Sequence, residues 1–406
     1  MNNRSGIILT MGILLSGLCF SCSKQLNEGD SPATFDIPDF STKPERFREE
    51  FETRVSELLH NPDSAQARSQ LALFFHANAQ YTQASDLYLQ LIEEDHSDGR
   101  WPYYLARILQ DRGQSQEAIR WLKASVERNG DFALSYLRLG DIYLKTDQVE
   151  KANVAYKQCL ERAVDNPHAL LGLARLEIQR KNWSGARDHL LKSIASNPDI
   201  LTAYSLLTIV YQELGENELA AEARRIGETK YRYFEPEDPW LEELYDHCFD
   251  PYQLSVAADM YLNTHRESKA LALLQLAIDR DPERARTYLE AAKAHLKVQD
   301  TKQGIDFLKQ AIRLDPQIED AHYQLVSELE SSGNLKTALA ASQAAIRVNL
   351  HSAGLYRQQG VLLEASGQAT QAVAAYRKAV ELDPGDEKNS EALANFYWTL
   401  GETKQA

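Results

Sequence analysis

Hydrophobic and small residues recur along this chain with a period of 34 positions. In each unit, apolar residues at positions 4, 7, 8 and 11 have helical spacing, and so do those at positions 20, 24, 27 and 28. This pattern predicts two amphipathic helices per unit, and the units must stack because none can bury its apolar face alone. One step of 50 residues interrupts the series. The small residues that define position 20 are Ala84, Ala118, Ala152, Ala186, Ala220, Ala270, Gly304, Ala338, Ala372 and Ala406.

Turn and stop residues fall in the same register. Glycine at position 15 suits the turn between the two helices, and proline at position 32 ends the second helix. Small residues at positions 8 and 20 predict that the two helices approach closely. Glycine stands at position 15 in Gly113, Gly215, Gly333, Gly367 and Gly401, and proline at position 32 in Pro198, Pro282, Pro316 and Pro384.

One unit shows the family resemblance directly. AGLYRQQGVLLEASGQATQAVAAYRKAVELDPGD, residues 353–386, resembles the tetratricopeptide repeat, and the resemblance extends over residues 65–406. It implies an all-α fold, a right-handed superhelical solenoid of about ten repeats in two blocks. Residues 64–230 are expected to hold repeats 1–5 and residues 251–406 repeats 6–10, the last of them only a capping helix.

The N-terminal part is predicted to be a targeting segment, a tether and a cap. One positive charge, a short apolar run and a cysteine resemble a bacterial lipoprotein signal over residues 1–21, with Cys22 as the lipidated residue. A plain secretory signal and an uncleaved anchor are the alternatives. Residues 22–43 are predicted to be a flexible tether. Residues 44–63 are predicted to be a capping helix whose apolar residues are Phe47, Phe51, Val55, Leu58 and Leu59.

The interruption holds the most unusual composition of the chain. YRYFEPEDPWLEELYDHCFDPY, residues 231–252, is rich in both aromatic and acidic residues, and residues 231–250 are assigned as a connecting segment. A short helix is predicted to begin with Asp238 as N-cap and Pro239 at its first position. The favoured interpretation is that the aromatics replace the stacking surface of a regular repeat. The alternatives are a partner site, or a segment that lies in the concave groove.

Charge limits the choice of ligand. The chain has a formal net charge of −15, which argues against a general nucleic-acid binder. The resemblance implies that positions 2, 5, 6, 9, 12 and 13 face a concave groove, and in repeats 2–4 these positions are locally basic. Such a groove, with a tyrosine as an aromatic shelf, suits an extended acidic peptide, although solvated faces also vary in charge by chance. The candidate groove residues are Arg100, Tyr103, Arg107, Arg138 and Arg175.

Recognised catalytic and cofactor motifs do not occur in the sequence. The ten histidines are scattered, and Asp246, His247, Cys248 and Asp250 form a local cluster without zinc-site spacing. We therefore expect no enzyme activity, no metal and no cofactor. The sequence predicts an exported, non-catalytic scaffold in the bacterial cell envelope that binds proteins or peptides and touches the membrane only through its N-terminal lipid. A self-assembling structural protein and an accessory subunit of a glycan or secretion machine are the alternatives.

Overall fold

A computed structural model describes residues 38–229 and 236–401, in which all regular structure is helical. The predicted signal peptide, Cys22, most of the tether, residues 230–235 and Ala406 lie outside the described residues. The α-helices of the described ranges are α1 Glu45–His60, α2 Ala65–Ala77, α3 Tyr81–Glu94, α4 Arg100–Asp111, α5 Ser115–Arg128, α6 Ala133–Lys145, α7 Val149–Arg162, α8 Pro167–Gln179, α9 Trp183–Ser196, α10 Leu201–Glu213, α11 Asn217–Gly227, α12 Pro239–Glu242, α13 Pro251–Asn263, α14 Glu267–Arg280, α15 Ala285–Lys297, α16 Thr301–Leu314, α17 Glu319–Ser331, α18 Leu335–Val348, α19 Ala353–Ala365, α20 Ala369–Leu382 and α21 Glu387–Thr399. A 3-10 helix spans Glu243–His247.

The helices pair as the periodicity predicts. Each helix packs on the next in the chain, from α2 to α11 and again from α13 to α21. Every described residue at position 20 of a repeat is buried, which confirms the predicted close crossing of the two helices. At Gly140 the crossing is so tight that an added Cβ would lie 2.5 Å from Cε1 of Tyr156. The tyrosine ring therefore occupies the space that a side chain at position 8 would need.

The turn inside each repeat requires a left-handed backbone conformation. The five glycines at position 15 have φ values between 72° and 78°. The same position has positive φ in the other five repeats, where it is occupied by Ala79, Asp147, Lys181, His265 and Gln299. The turn geometry is thus common to all ten repeats, although only half of them carry the residue that adopts it without strain.

The capping helix α1 covers the first repeat. Phe47, Phe51, Val55 and Leu58 are buried against the core of α2, whereas Leu59 is 60% exposed. The structure corrects the inclusion of Leu59 in the apolar face, because it lies one position beyond the buried stripe. No helix in the ranges 38–229 and 236–401 is long and apolar enough to cross a bilayer.

The two blocks of repeats are not joined by regular stacking. Helix α11 packs on α10, but the next elements, α12 and the 3-10 helix, pack back on the start of the array, where the 3-10 helix contacts α2. Phe249 belongs to the core of the first block, and Cys248 belongs to the core of the second block together with Ala77 of α2. The connecting segment therefore returns to repeat 1 before repeat 6 begins.

Candidate functional site

The described part of the connecting segment lies against the first helices of repeats 1–3. Its contacts are made by residues at positions 2, 5 and 6 of α4 and position 6 of α6, which the repeat resemblance assigns to the concave groove. The structure therefore supports the alternative in which the segment lies in the groove. The favoured interpretation, in which its aromatics replace the stacking surface of a regular repeat, stays a prediction. Trp240 packs on the first block, whereas Tyr245 meets the ring of Tyr261 of the second block edge-on at 6.3 Å.

Asp238 makes the most buried polar contact of this interface. Its Oδ1 accepts the backbone N–H of Leu241 at 3.2 Å, which confirms the predicted helix cap. Its Oδ2 accepts a hydrogen bond from the hydroxyl of Tyr103 and lies 4.0 Å from Nη2 of Arg138. Burial raises the pKa of Asp238, and the hydroxyl of Tyr103 and the charge of Arg138 oppose that rise.

Trp240 supplies the aromatic contact. Its indole is stacked on the ring of Phe132, with the ring centroids 3.5 Å apart, and meets the ring of Tyr103 edge-on at 5.2 Å. The carbonyl oxygen of Trp240 accepts a hydrogen bond of 2.6 Å from the hydroxyl of Tyr104. Trp240 and Phe132 are both half-buried, so this pair forms the rim of the interface.

Glu243 completes the contacts with α4. Its carboxylate lies 2.8 Å from the hydroxyl oxygen of Tyr104, whose single proton is shared between this carboxylate and the carbonyl oxygen of Trp240, and 3.3 Å from Nη1 of Arg100. Arg100 also pairs with Asp98 at 2.8 Å, and this carboxylate raises the pKa of the guanidinium. Arg100 is therefore held between one carboxylate of its own loop and one of the connecting segment.

The acids on the opposite face of the segment bind the second block. Glu237 pairs with Arg266 at 2.6 Å, and Glu242 pairs with Lys269 at 2.8 Å. Glu242 also accepts a hydrogen bond of 2.8 Å from the hydroxyl of Tyr261. Each block thus contributes cations and tyrosine hydroxyls to this segment, and the segment contributes a separate pair of carboxylates to each block.

The end of the segment is fixed by Asn78 at the C-cap of α2. The Asn78 amide donates to the carbonyl oxygen of His247 at 2.8 Å and accepts the N–H of Phe249 at 2.9 Å. Burial, with the nearby charge of Arg54, lowers the pKa of His247 to about 4, so the imidazole is neutral at physiological pH. The guanidinium of Arg280 lies 3.8 Å from the centroid of the Phe249 ring.

The structure places the five candidate groove residues in three situations. Arg100, Tyr103 and Arg138 contact the connecting segment, and Tyr103 is completely buried beneath it. Arg107 donates a hydrogen bond of 2.8 Å to the side-chain oxygen of Gln110. It also lines two cavities beside the segment, of about 220 and 300 Å³, and its buried Nε has no hydrogen-bond partner among the described residues. Arg175 lies exposed on α8, away from these contacts. Its role in ligand binding stays a prediction.

The cluster Asp246, His247, Cys248 and Asp250 is not arranged as a metal site. The Cys248 thiol donates to the backbone oxygen of Asp250 at 3.7 Å, and burial raises its pKa to about 11. No group of three potential ligands comes together in residues 38–229 and 236–401. The cluster is therefore a helix end packed into the junction of the two blocks.

Several residues of this interface were not singled out from the sequence. They are Phe132 in the loop before α6, the clamp Asn78, the acid Glu243 and the second-block cations Arg266 and Lys269. Phe132 is an aromatic residue directly before a groove helix, which was a usable signal. The others are ordinary residues whose role comes only from contacts over long sequence separations.

Comparisons with known proteins match this architecture. Three family models described as tetratricopeptide repeat match residues 143–208, 285–318 and 323–387. BBSome complex member BBS4 of Bos taurus is 25% identical over 237 residues, which cover 56% of this chain and 42% of that protein. Cellulose synthase 1 operon protein C of Komagataeibacter xylinus is 26% identical over 140 residues, which cover 34% of this chain and 10% of that protein. The chain thus spans less than half the length of the curated relatives it matches.

The comparison with solved structures gives matches at low sequence identity and low TM-score. The protein described as MamA 41-end from Desulfovibrio magneticus RS-1 is 19% identical with a TM-score of 0.33, over 38% of this chain and 87% of that one. The part of the chain that the structure describes is thus an all-helical solenoid built from tetratricopeptide repeats.

Proposed function

We propose that this protein is a non-catalytic scaffold of the bacterial cell envelope that binds an extended acidic segment of another protein in its concave groove. The observation that carries the proposal is the groove of repeats 2 and 3. There, arginine and tyrosine side chains hold the carboxylates Asp238 and Glu243 of the chain itself. A surface that binds acids within the chain has the chemistry to bind them in a partner.

The candidate residue of α8 lies outside the described contacts of the connecting segment. Arg175 is exposed there, and its charge and that of Arg138 oppose the burial that raises the pKa of Asp141. A partner carboxylate at this position would gain a two-pronged hydrogen bond from the guanidinium. Since an exposed pair contributes only about 0.2–1 kcal/mol, apolar and aromatic contacts must supply the remaining affinity.

Export and lipid attachment belong to the same proposal. They rest on the apolar run, on small Ser21 before Cys22, and on the tether sequence that follows. Replacing Cys22→Ala should move the protein from the membrane fraction to the soluble fraction. A variant that stays in the membrane pellet would contradict lipid attachment at this cysteine.

In-cell crosslinking followed by mass spectrometry tests the scaffold itself. The double variant Arg107→Glu, Arg175→Glu should lose crosslinked partners at physiological salt, while Lys309→Glu on the second block serves as a charge control. Circular dichroism confirms that each variant is folded. A folded double variant that keeps every partner would refute the groove assignment.

A second candidate function is an accessory subunit of an envelope glycan machine. The similarity of 140 residues to cellulose synthase 1 operon protein C favours this candidate. The same crosslinking experiment separates the two, because an accessory subunit would crosslink to an enzyme complex. A self-assembling protein would crosslink mainly to itself and would give a large species in light scattering.

A further inference from the structure

We infer that the groove surface of α4 and α6 recognises a short acidic-aromatic turn of another protein, Asp-Pro-Trp with a glutamate three residues after the tryptophan. Residues 236–243 occupy this surface as an internal copy of that ligand. The inference rests on the proposed scaffold function and names the chemistry of the partner. It also explains why a basic part of the groove is filled by an acidic segment of the same chain.

Each element of the proposed turn, the aspartate, the tryptophan and the glutamate, has its own binding residues in the first block. The aspartate is received by Tyr103 and Arg138, as the contacts of Asp238 demonstrate. Its other oxygen caps the turn, and proline at the first helical position restricts the backbone to the helical region. The aspartate therefore both shapes the turn and binds the groove.

The tryptophan and the glutamate bind neighbouring positions. Phe132 stacks on the indole, and the hydroxyl of Tyr104 lies within hydrogen-bond distance of both the peptide carbonyl and the glutamate, which share its one proton. Arg100 adds a charge beside the glutamate. All of these receptors lie on repeats 2 and 3 or on the loop before α6. A ligand in trans would thus find the complete surface on the first block.

The internal segment fills this surface incompletely. The cavities on its two sides share the walls Arg107, Leu241 and Tyr245, and the buried Nε–H of Arg107 has no acceptor among the described residues. A partner turn with a larger side chain or an acceptor in place of Leu241 would fill space that the internal copy leaves empty. Such a partner would bind better than the segment it displaces.

The internal segment also binds the second block, which a turn from another protein would not need to do. Glu237 and Glu242 point away from the groove and pair with Arg266 and Lys269 of the second block. These two acids are not needed for groove binding. This division of the four carboxylates makes a sharp prediction about which acids of a free peptide matter.

The probe is a fluorescent peptide with the sequence PEDPWLEELYDH, residues 236–247, titrated with the purified full-length chain. The internal segment competes at high effective concentration, so the wild-type chain should bind the peptide weakly. The variant Asp238→Asn, Glu243→Gln keeps the shape of the internal segment but removes its two groove-facing charges, and should bind the peptide at least tenfold more tightly. Glu243→Gln alone, at a side chain that is 33% exposed, is the milder variant and should bind it at least threefold more tightly.

Matched peptides provide the control. A peptide with glutamine at the positions of Glu237 and Glu242 should bind as well as the parent. A peptide with asparagine and glutamine at the positions of Asp238 and Glu243 should lose at least tenfold in affinity. Equal affinity of these two peptides, or no peptide binding by either folded chain variant, would overturn the inference.

The outcomes also separate this inference from the proposed function. If crosslinked partners depend on Arg107 and Arg175 but the peptide does not bind, the groove is a scaffold site with another ligand. If the wild-type chain is a dimer that the peptide dissociates, the occupant in trans is a second copy of the same segment, and the assignment to another protein is overturned.

Discussion

The clamp formed by Asn78 gives the most direct test of the packing between the connecting segment and repeat 1. In Asn78→Ala the N–H of Phe249 and the carbonyl oxygen of His247 lose their side-chain partner. A buried backbone group left without a partner costs about 1–3 kcal/mol, and partial access of water to this site favours the lower half of that range. For two groups we expect a loss of about 2–4 kcal/mol in the free energy that holds the segment in place.

Hydrogen exchange at the Phe249 amide measures this loss of free energy directly, because that N–H is one of the two groups that lose their partner. The exchange rate in Asn78→Ala should rise by about the factor that corresponds to this energy, roughly 30-fold or more. Asn78→Asp retains an acceptor for the Phe249 N–H but cannot donate to His247, so it should give an intermediate rate. Urea unfolding followed by circular dichroism should show the same order of stability.

Thr146 provides the matched control because it occupies the same position of repeat 3. Its hydroxyl donates only within its own turn, to the carbonyl oxygen of Ile142 at 2.8 Å. Thr146→Ala should therefore leave Phe249 exchange unchanged. If Asn78→Ala also leaves Phe249 protected, or destabilises the chain no more than Thr146→Ala, the clamp does not hold the segment.

Three further changes test the packing, the turns and the junction. Gly140→Ala should destabilise the chain by about 1–3 kcal/mol in urea unfolding, because the new methyl group meets the ring of Tyr156. Gly354→Ala, where the nearest atom is 3.8 Å from the new Cβ, should be neutral or stabilising, and equal effects of the two changes would contradict the close crossing. Ala79→Gly should stabilise the chain by about 0.5–1 kcal/mol, since relief of a left-handed backbone outweighs the added entropy of the unfolded chain; a lower melting temperature would argue against strain at this turn. The pKa of His247 is lowered to about 4 in the folded chain, so its contribution to stability is present above about pH 6.5 and is lost as the pH falls towards 4. In His247→Gln the free energy of unfolding should therefore fall less between pH 6.5 and pH 4 than in the wild-type chain. The same pH dependence in both chains would show that the histidine does not control it.

The repeats could be predicted from the sequence because their contacts are local. Helix spacing, small residues at the crossing and a turn at position 15 all act within 34 residues, so one unit contains the information for its own shape. The cap formed by Asp238 and Pro239 is equally local, and the structure confirms it.

The position of the connecting segment could not be predicted in this way. Its contacts join Tyr103 to a residue 135 positions later and Asn78 to one 171 positions later. Composition alone favoured a stacked connector and left a groove-bound segment as an alternative. The choice depends on shape and charge complementarity between distant surfaces, which no periodic pattern contains. Arg100 and Arg175 also could not be told apart from the sequence. Both are arginines at groove positions, but Arg100 pairs with Glu243 of the connecting segment and Arg175 is exposed.

The return of the chain to its first repeat changes how this solenoid should fold and unfold. A regular array has contacts only between neighbours, so it frays from either end. Here Arg46 of α1 donates to the backbone oxygen of Asp279 on α14, a sequence separation of 233 residues. The N-terminal end is therefore held by repeat 6, whereas the last described helix, α21, packs only on α19 and α20 among the helices in substantial contact. Repeats 1 to 6 should therefore open as one cooperative unit whose formation is slowed by the closure of a long loop, whereas repeats 7 to 9, whose substantial contacts join neighbouring repeats, should open separately.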